Sequence, residues 1–324
     1  MIKIQVIGAG GIGMRHLQSI AGLKEPFECW AVDPREESLG RVRQILSGHD
    51  KVACFHYVNS MSETPDHADV VIVATSSLVR AQVTRDLLNS KSVKYLILEK
   101  FLFPTESDYG EIGNLIKKKG VSCWVNTPRR MNPGWQTVIG TLKGFNGLLR
   151  YSVLGGNWGL GCNSIHFLDT IDFLLGNDAA FSYDTSELDP EIGESKRPGY
   201  VEFTGKLRVG HPRAASIELI SDRSNNAAIL QIISTDTIRF VISEFEQRAR
   251  RATLEGGWKM EKIAFPMLFQ SQLTAPVIES LIESGSCLLT PYEHSAKLHI
   301  PMLRTFLDYY NKAEGKDDEI CPIT

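Results

Sequence analysis

Short apolar runs alternate with helix-length stretches of mixed polarity along the first third of the chain. Residues 2–7 (IKIQVI) read as a β-strand running into Gly8, and residues 12–23 then place apolar side chains at helical spacing. A second strand fits 27–32 and closes at Asp33-Pro34, before a polar-faced helix over 35–46. Residues 70–74 (VVIVA) and 95–98 (YLIL) are continuous apolar runs, the pattern of strands covered on both faces of a parallel sheet. Helices fit at 78–89 and 108–118, where Gly120 offers a C-cap before a strand at 121–125.

The rhythm changes near Gly147. Strands are expected at 200–209, 214–220, 228–234 and 237–243, with hairpin turns at Gly210-His211-Pro212 and Thr235-Asp236. Helices fit 166–175 and 275–282, and residues 184–198, rich in Glu, Asp, Ser, Pro and Gly, read as a mobile loop. A last long helix is expected to open at Thr290, with Pro291 and Glu293 in its first turn, and to be perturbed at Pro301. The whole is α/β: a doubly wound parallel sheet of Rossmann type over 1–125, then an α+β domain with a largely antiparallel open sheet over 126–324. A length of 324 residues suits two cores rather than one.

Composition removes several function classes. The 35 basic against 38 acidic residues create no field that would draw in nucleic acid or an anionic membrane. Every apolar run falls far short of the ~20 residues of a membrane span. The opening MIKIQVIGAGGIG lacks a cleavage pattern, so a cytoplasmic location is expected. Six scattered cysteines without a CxxC pair point to reduced thiols and give no zinc site, so no metal is expected.

The first chemical signal is Gly8-Ala9-Gly10-Gly11-Ile12-Gly13, a GxGxxG run between a strand and a helix. Gly8 permits the tight turn, Gly10 lets backbone approach a pyrophosphate, and Gly13 allows close packing. The amides from Gly11 and Ile12 onward face the phosphate charge. Asp33, about twenty residues on, suits an adenosine ribose and favours NAD, while Arg35 offers a cation for the extra phosphate of NADP. Thr75 and Ser76, after the VVIVA strand, are placed either to bond the cofactor or to cap the following helix. Glu99 and Lys100 follow YLIL at the carboxyl edge of the sheet, where such folds bind ligands. An ammonium there stabilises developing alkoxide charge.

Together with Asn163-Ser164-Ile165-His166-Phe167-Leu168-Asp169, these features resemble the glucose-fructose oxidoreductase and inositol dehydrogenase family, called Gfo/Idh/MocA. The resemblance implies that Glu99 belongs to the cofactor site, that Lys100 binds substrate and acts in catalysis, and that His166 exchanges a proton with the substrate hydroxyl. Asp169, one helical turn on, is then placed to orient His166, and Asn163 to position the substrate. Two residues depart from the family pattern: Phe101 where proline often follows the lysine, and Cys162 where many members carry an aspartate. Arg129 is a candidate for an anionic substrate group. Trp158, in a glycine-rich approach, reads equally as a sugar-facing wall or as packing.

The implied activity is NAD(P)-dependent oxidoreduction of a sugar or sugar derivative in surface-glycan assembly, by a homodimer or homotetramer. An NAD-using glycosidase and a non-catalytic dinucleotide sensor are the alternatives.

Overall fold

The computed structural model describes residues 1–324, and the chain divides into two compact units. The first holds residues 1–103, 107–128 and 268–295. It opens with β1 (Ile2–Ile7), α1 (Gly11–Ile20), β2 (Phe27–Val32), α2 (Glu36–Leu46) and β3 (Phe55–Val58). It continues with β4 (His67–Val73), α3 (Ser77–Ser90), β5 (Ser92–Leu98), α4 (Glu106–Lys119) and β6 (Ser122–Val125). The last four residues of β1, β2, β4 and β5 are all buried, which is why these strands read as unbroken apolar runs.

The six strands are parallel, in the order β3-β2-β1-β4-β5-β6. Ile7 lies beside Val32 on one side and Val73 on the other. The order reverses between β1 and β4, so the carboxyl ends of these two strands form the switch point where a doubly wound sheet binds ligands.

The second unit holds residues 104–106, 129–267 and 296–324. After α5 (Pro133–Leu142) come β7 (Leu149–Gly156), α6 (Leu160–Leu175), β8 (Ser182–Leu188), and a small hairpin of β9 (Gly193–Glu194) with β10 (Val201–Glu202). Then follow β11 (Gly205–Gly210), β12 (Ala214–Asp222), β13 (Leu230–Ser234), β14 (Ile238–Ser243), β15 (Arg248–Thr253) and β16 (Glu261–Ala264). Eight of these strands form one sheet in the order β16-β15-β14-β13-β7-β12-β11-β8, antiparallel except between β7 and β12. One face buries Tyr151, Val153, Leu219, Ile233, Phe240 and Ile242, and α6 packs against β12.

The chain next runs through α7 (Gln270–Ser284), β17 (Thr290–Pro291) and α8 (Tyr292–Glu314). Here the structure differs from the single boundary expected at residue 125. Residues 268–295 return to the first unit because α7 packs on α1 and β17 adds antiparallel to β6. Thr290 and Pro291 are therefore strand rather than helix cap, and α8 starts at Tyr292 and continues through Pro301.

The expected mobile loop at 184–198 is also corrected. Its first part lies in β8, an edge strand of alternating exposure whose polar sequence SYDTSEL concealed it. No helix is long and apolar enough to cross a membrane.

Candidate functional site

The glycine turn is built by steric demand. Gly8 has a φ of 97°, and a Cβ there would stand 2.9 Å from the backbone of Ala74 and Thr75. A Cβ on Gly13 would lie 1.8 Å from the Gly8 carbonyl oxygen, so only glycine lets α1 start this close to β1. Gly10 and Gly11 are different. A Cβ on Gly10 would meet only the Arg35 guanidinium, at 4.0 Å, and one on Gly11 would meet nothing.

The protein's own packing thus leaves open backbone at the start of α1, whose first turn has no side-chain cap and no acidic residue. Uncapped amides at the positive end of a helix dipole fit a diphosphate. The buried Thr75 hydroxyl, which has no protein partner, fits a further polar group of the same ligand. Ser76 stands at the N-cap of α3 without a side-chain bond, so the capping alternative does not hold for its hydroxyl.

Asp33 is 3% exposed, and its carboxylate is partly engaged. Oδ2 accepts the Ala9 N–H at 2.9 Å, and Oδ1 accepts the Arg35 N–H at 3.0 Å. This ties the end of β2 to the glycine turn and leaves further lone pairs for a ribose hydroxyl. Arg35 itself is 68% exposed at its side chain.

Glu99 faces inward. Its Oε1 accepts from His16 Nε2 at 2.9 Å and from the Asn126 amide. His16 Nδ1 lies 2.8 Å from Thr274 Oγ1, and Gln270 bridges Asn126 and Thr274 at 3.0 Å each. Burial pushes the Glu99 carboxyl up. The bond and charge of His16, the Asn126 bond and the Arg80 charge outweigh it and hold Glu99 below the usual carboxylate range. Glu99 therefore anchors α1, β6 and α7 around one carboxylate, and its neighbour Lys100 is half-buried at the end of β5.

On the other side, the buried Arg80 donates to the carbonyls of Thr75, Phe101 and Leu102. The Lys100–Phe101 peptide is cis. Sequence reasoning missed both His16 and Arg80. Arg80 could have been found as a charge on the same face of α3 as Ser77, Thr84 and Leu88, all buried.

In the second unit, His166 is half-buried on α6. Asn163 Nδ2 donates to the Trp158 carbonyl at 2.7 Å. Trp158 itself is 9% exposed, donates its indole N–H to the Ile220 carbonyl at 2.7 Å and packs edge-on to Phe167. That corrects the sugar-facing alternative: the ring is packing.

Arg129 is corrected as a free anion receptor. It binds both oxygens of Glu244 at 3.0 and 3.1 Å and lies over the Phe167 ring. Burial raises the Glu244 pKa, but the Arg129 charge and the Trp135 indole bond bring it below the ordinary range. Asp169 is fully buried, and its two oxygens accept from Arg130 at 3.0 and 2.6 Å, so its charge is matched by a guanidinium.

Asp172, Asp178 and His211 bring three potential metal-ligand atoms within 4.8 Å of one another. His211 Nδ1 accepts the Arg213 N–H at 3.0 Å, so the ring proton sits on Nε2 and donates to Asp178 at 2.7 Å. Neither nitrogen keeps a lone pair for a cation.

Residues 2–127 match the family model described as the oxidoreductase family, NAD-binding Rossmann fold, of Gfo/Idh/MocA. The match covers the six parallel strands of the first unit. No curated protein matches the chain.

Among solved structures, an oxidoreductase from Agrobacterium radiobacter in complex with NAD+, L-tartaric acid and magnesium superposes at TM-score 0.72 and 14% identity, over 98% of each chain. UDP-N-acetylglucosamine 3-dehydrogenase from Acidithiobacillus ferrooxidans follows at 0.70 and 14%, over 94% of this chain and 96% of its own. A 3-ketoreductase from Actinomadura kijaniata in complex with NADP gives 0.69 and 14%, over 93% and 95%. At these identities the likeness is one of fold.

The depressed pKa of Glu99 means that its contribution to stability is present above the unfolded carboxyl pKa and is lost as pH falls through the folded value. In urea unfolding at pH 7, Glu99→Gln is expected to cost about 1–3 kcal/mol. The gap to wild type should close in acid; an equal gap at both pH values contradicts the assignment.

Proposed function

We propose that this oxidoreductase transfers hydride between a nicotinamide dinucleotide and a carbinol or ketone carbon of a sugar or sugar derivative. The observation that carries the reading is the uncapped amide end of α1 beside open glycine backbone, with Lys100 at the carboxyl end of β5 in the same sheet. Gly8, Gly10, Gly11, Ile12 and Gly13 would hold the diphosphate, while Asp33, Thr75 and Ser76 bond the sugar hydroxyls of the dinucleotide. Bound NAD(P) supplies the hydride acceptor or donor.

Lys100 stabilises negative charge on the substrate oxygen, and His166 exchanges the proton of that oxygen. Asn163 positions the substrate, and Asp169 serves by holding α6 through Arg130. Asp33 favours NAD by repelling a 2′-phosphate, whereas the exposed Arg35 is the cation that lets NADP bind. The likeness to a UDP-sugar dehydrogenase and a ketoreductase supports a sugar derivative, which we take to be one used in surface-glycan assembly in the cytoplasm.

A panel of sugars and nucleotide sugars, followed by NADH absorbance, tests this. Lys100→Ala and His166→Ala are each expected to lower kcat/KM by about a hundredfold or more, with dinucleotide affinity within about threefold of wild type. Full turnover in both variants contradicts the roles. Glycoside hydrolysis without net NADH would indicate the glycosidase alternative, and binding without turnover the sensor.

The second-unit sheet supports a homodimer. Its face opposite α6 presents Ile220, Leu154 and Leu230 in one cross-strand row and Ile232 and Val241 in the next. Leu154 is 36% exposed in the single chain. Light scattering is expected to give a dimer or tetramer that Leu154→Glu shifts towards monomer; a wild-type monomer contradicts this part of the reading.

A further inference from the structure

The helix that carries His166 begins without a cap of its own. Gly159 at its N-cap is left-handed with a φ of 81°, makes no side-chain bond, and is followed by no acidic residue in the first turn. The acceptor arrives from another strand. Glu202, at the end of β10, takes the Gly161 N–H on Oε2 at 2.8 Å and the Cys162 N–H on Oε1 at 3.2 Å. The Cys162 thiol lies within hydrogen-bonding reach of the same carboxylate and 3.7 Å from the Gly159 carbonyl.

The glycines around this contact leave little slack. A Cβ on Gly159 would stand 2.9 Å from the Cys162 sulfur and 3.2 Å from Glu202. One on Gly161 would stand 3.0 Å from Phe203 and 3.2 Å from Ile323. Two first-turn amides of α6 are thus fixed by a carboxylate 41 and 40 residues further along the chain. Cys162 and Asn163 lie one turn before His166, so a displacement of that first turn is transmitted directly to the histidine.

We propose that Glu202 is the positioning residue of the His166 helix, setting through the Gly161 and Cys162 amides where Asn163 and His166 stand. Its catalytic consequence rests on the hydride-transfer reading; its structural consequence does not.

The test is Glu202→Gln, which keeps the side chain's size but turns one acceptor into a donor facing an amide. With histidine rings labelled for NMR and His166 assigned by its loss in His166→Ala, the variant is expected to move the His166 signal and leave that of His16 in place. In turnover, kcat is expected to fall about tenfold or more, with KM and dinucleotide Kd within about threefold of wild type. The double variant C162D/E202Q returns a carboxylate to the first turn and is expected to restore both the signal and kcat.

An unmoved His166 signal in folded Glu202→Gln overturns the proposal, as does failure of the double variant to restore it. If Glu202→Gln does not fold, the double variant decides: recovery of folding with a wild-type His166 signal supports the role, and its absence overturns it. Should wild type turn over no sugar, the function reading fails while the NMR result still judges Glu202.

Discussion

A carbonyl oxygen with no room for a methyl group beside it governs the first unit. The Gly8 oxygen lies where any side chain on Gly13 would begin, and Gly8 itself presses on the backbone joining β4 to Thr75. These two contacts bring α1 onto the ends of β1 and β4, where the strand order reverses. The amides of its first turn then end in open space rather than against a cap. A helix end left in this state is a preformed anion receptor.

Within each unit, buried charge does the positioning. Glu99 with His16, Arg80 with three carbonyls, Arg130 with Asp169 and Arg129 with Glu244 are all withdrawn from full contact with water. Paired burial of this kind contributes little net stability against well-packed apolar residues. Removing one partner is costly, so each pair specifies one arrangement. Lys100 is flanked on both sides by such anchors, and His166 lies on a helix held at Asp169.

The sequence made the β/α alternation of the first unit legible because its strands are apolar on both faces. β3 escaped because FHYV is short and only Phe55 is buried. β15 escaped because its buried residues are alanines, Ala249 and Ala252, on opposite faces and among arginines, a pattern with weak strand preference. The return of α7 and β17 to the first unit depends on contacts across more than a hundred residues, which no local pattern encodes. Motif residues of the candidate site were readable from spacing, whereas their partners were not: His16 meets Glu99 across 83 residues, and Arg129 meets Glu244 across 115. Trp158 and Arg129 show the same limit, since their types suit a ligand and only their neighbours reveal packing and pairing.

The most direct test of the central claim is calorimetric titration of NAD+ and NADP+ into wild type and Gly10→Asp. Gly10 has an ordinary φ of −66° and space for a side chain, so the variant should melt as wild type does while its carboxylate repels the diphosphate. Wild type is expected to bind at least one dinucleotide, and the variant to lose about tenfold or more in affinity. Equal affinity in both proteins, or no affinity in ligand-stripped wild type, would contradict that claim.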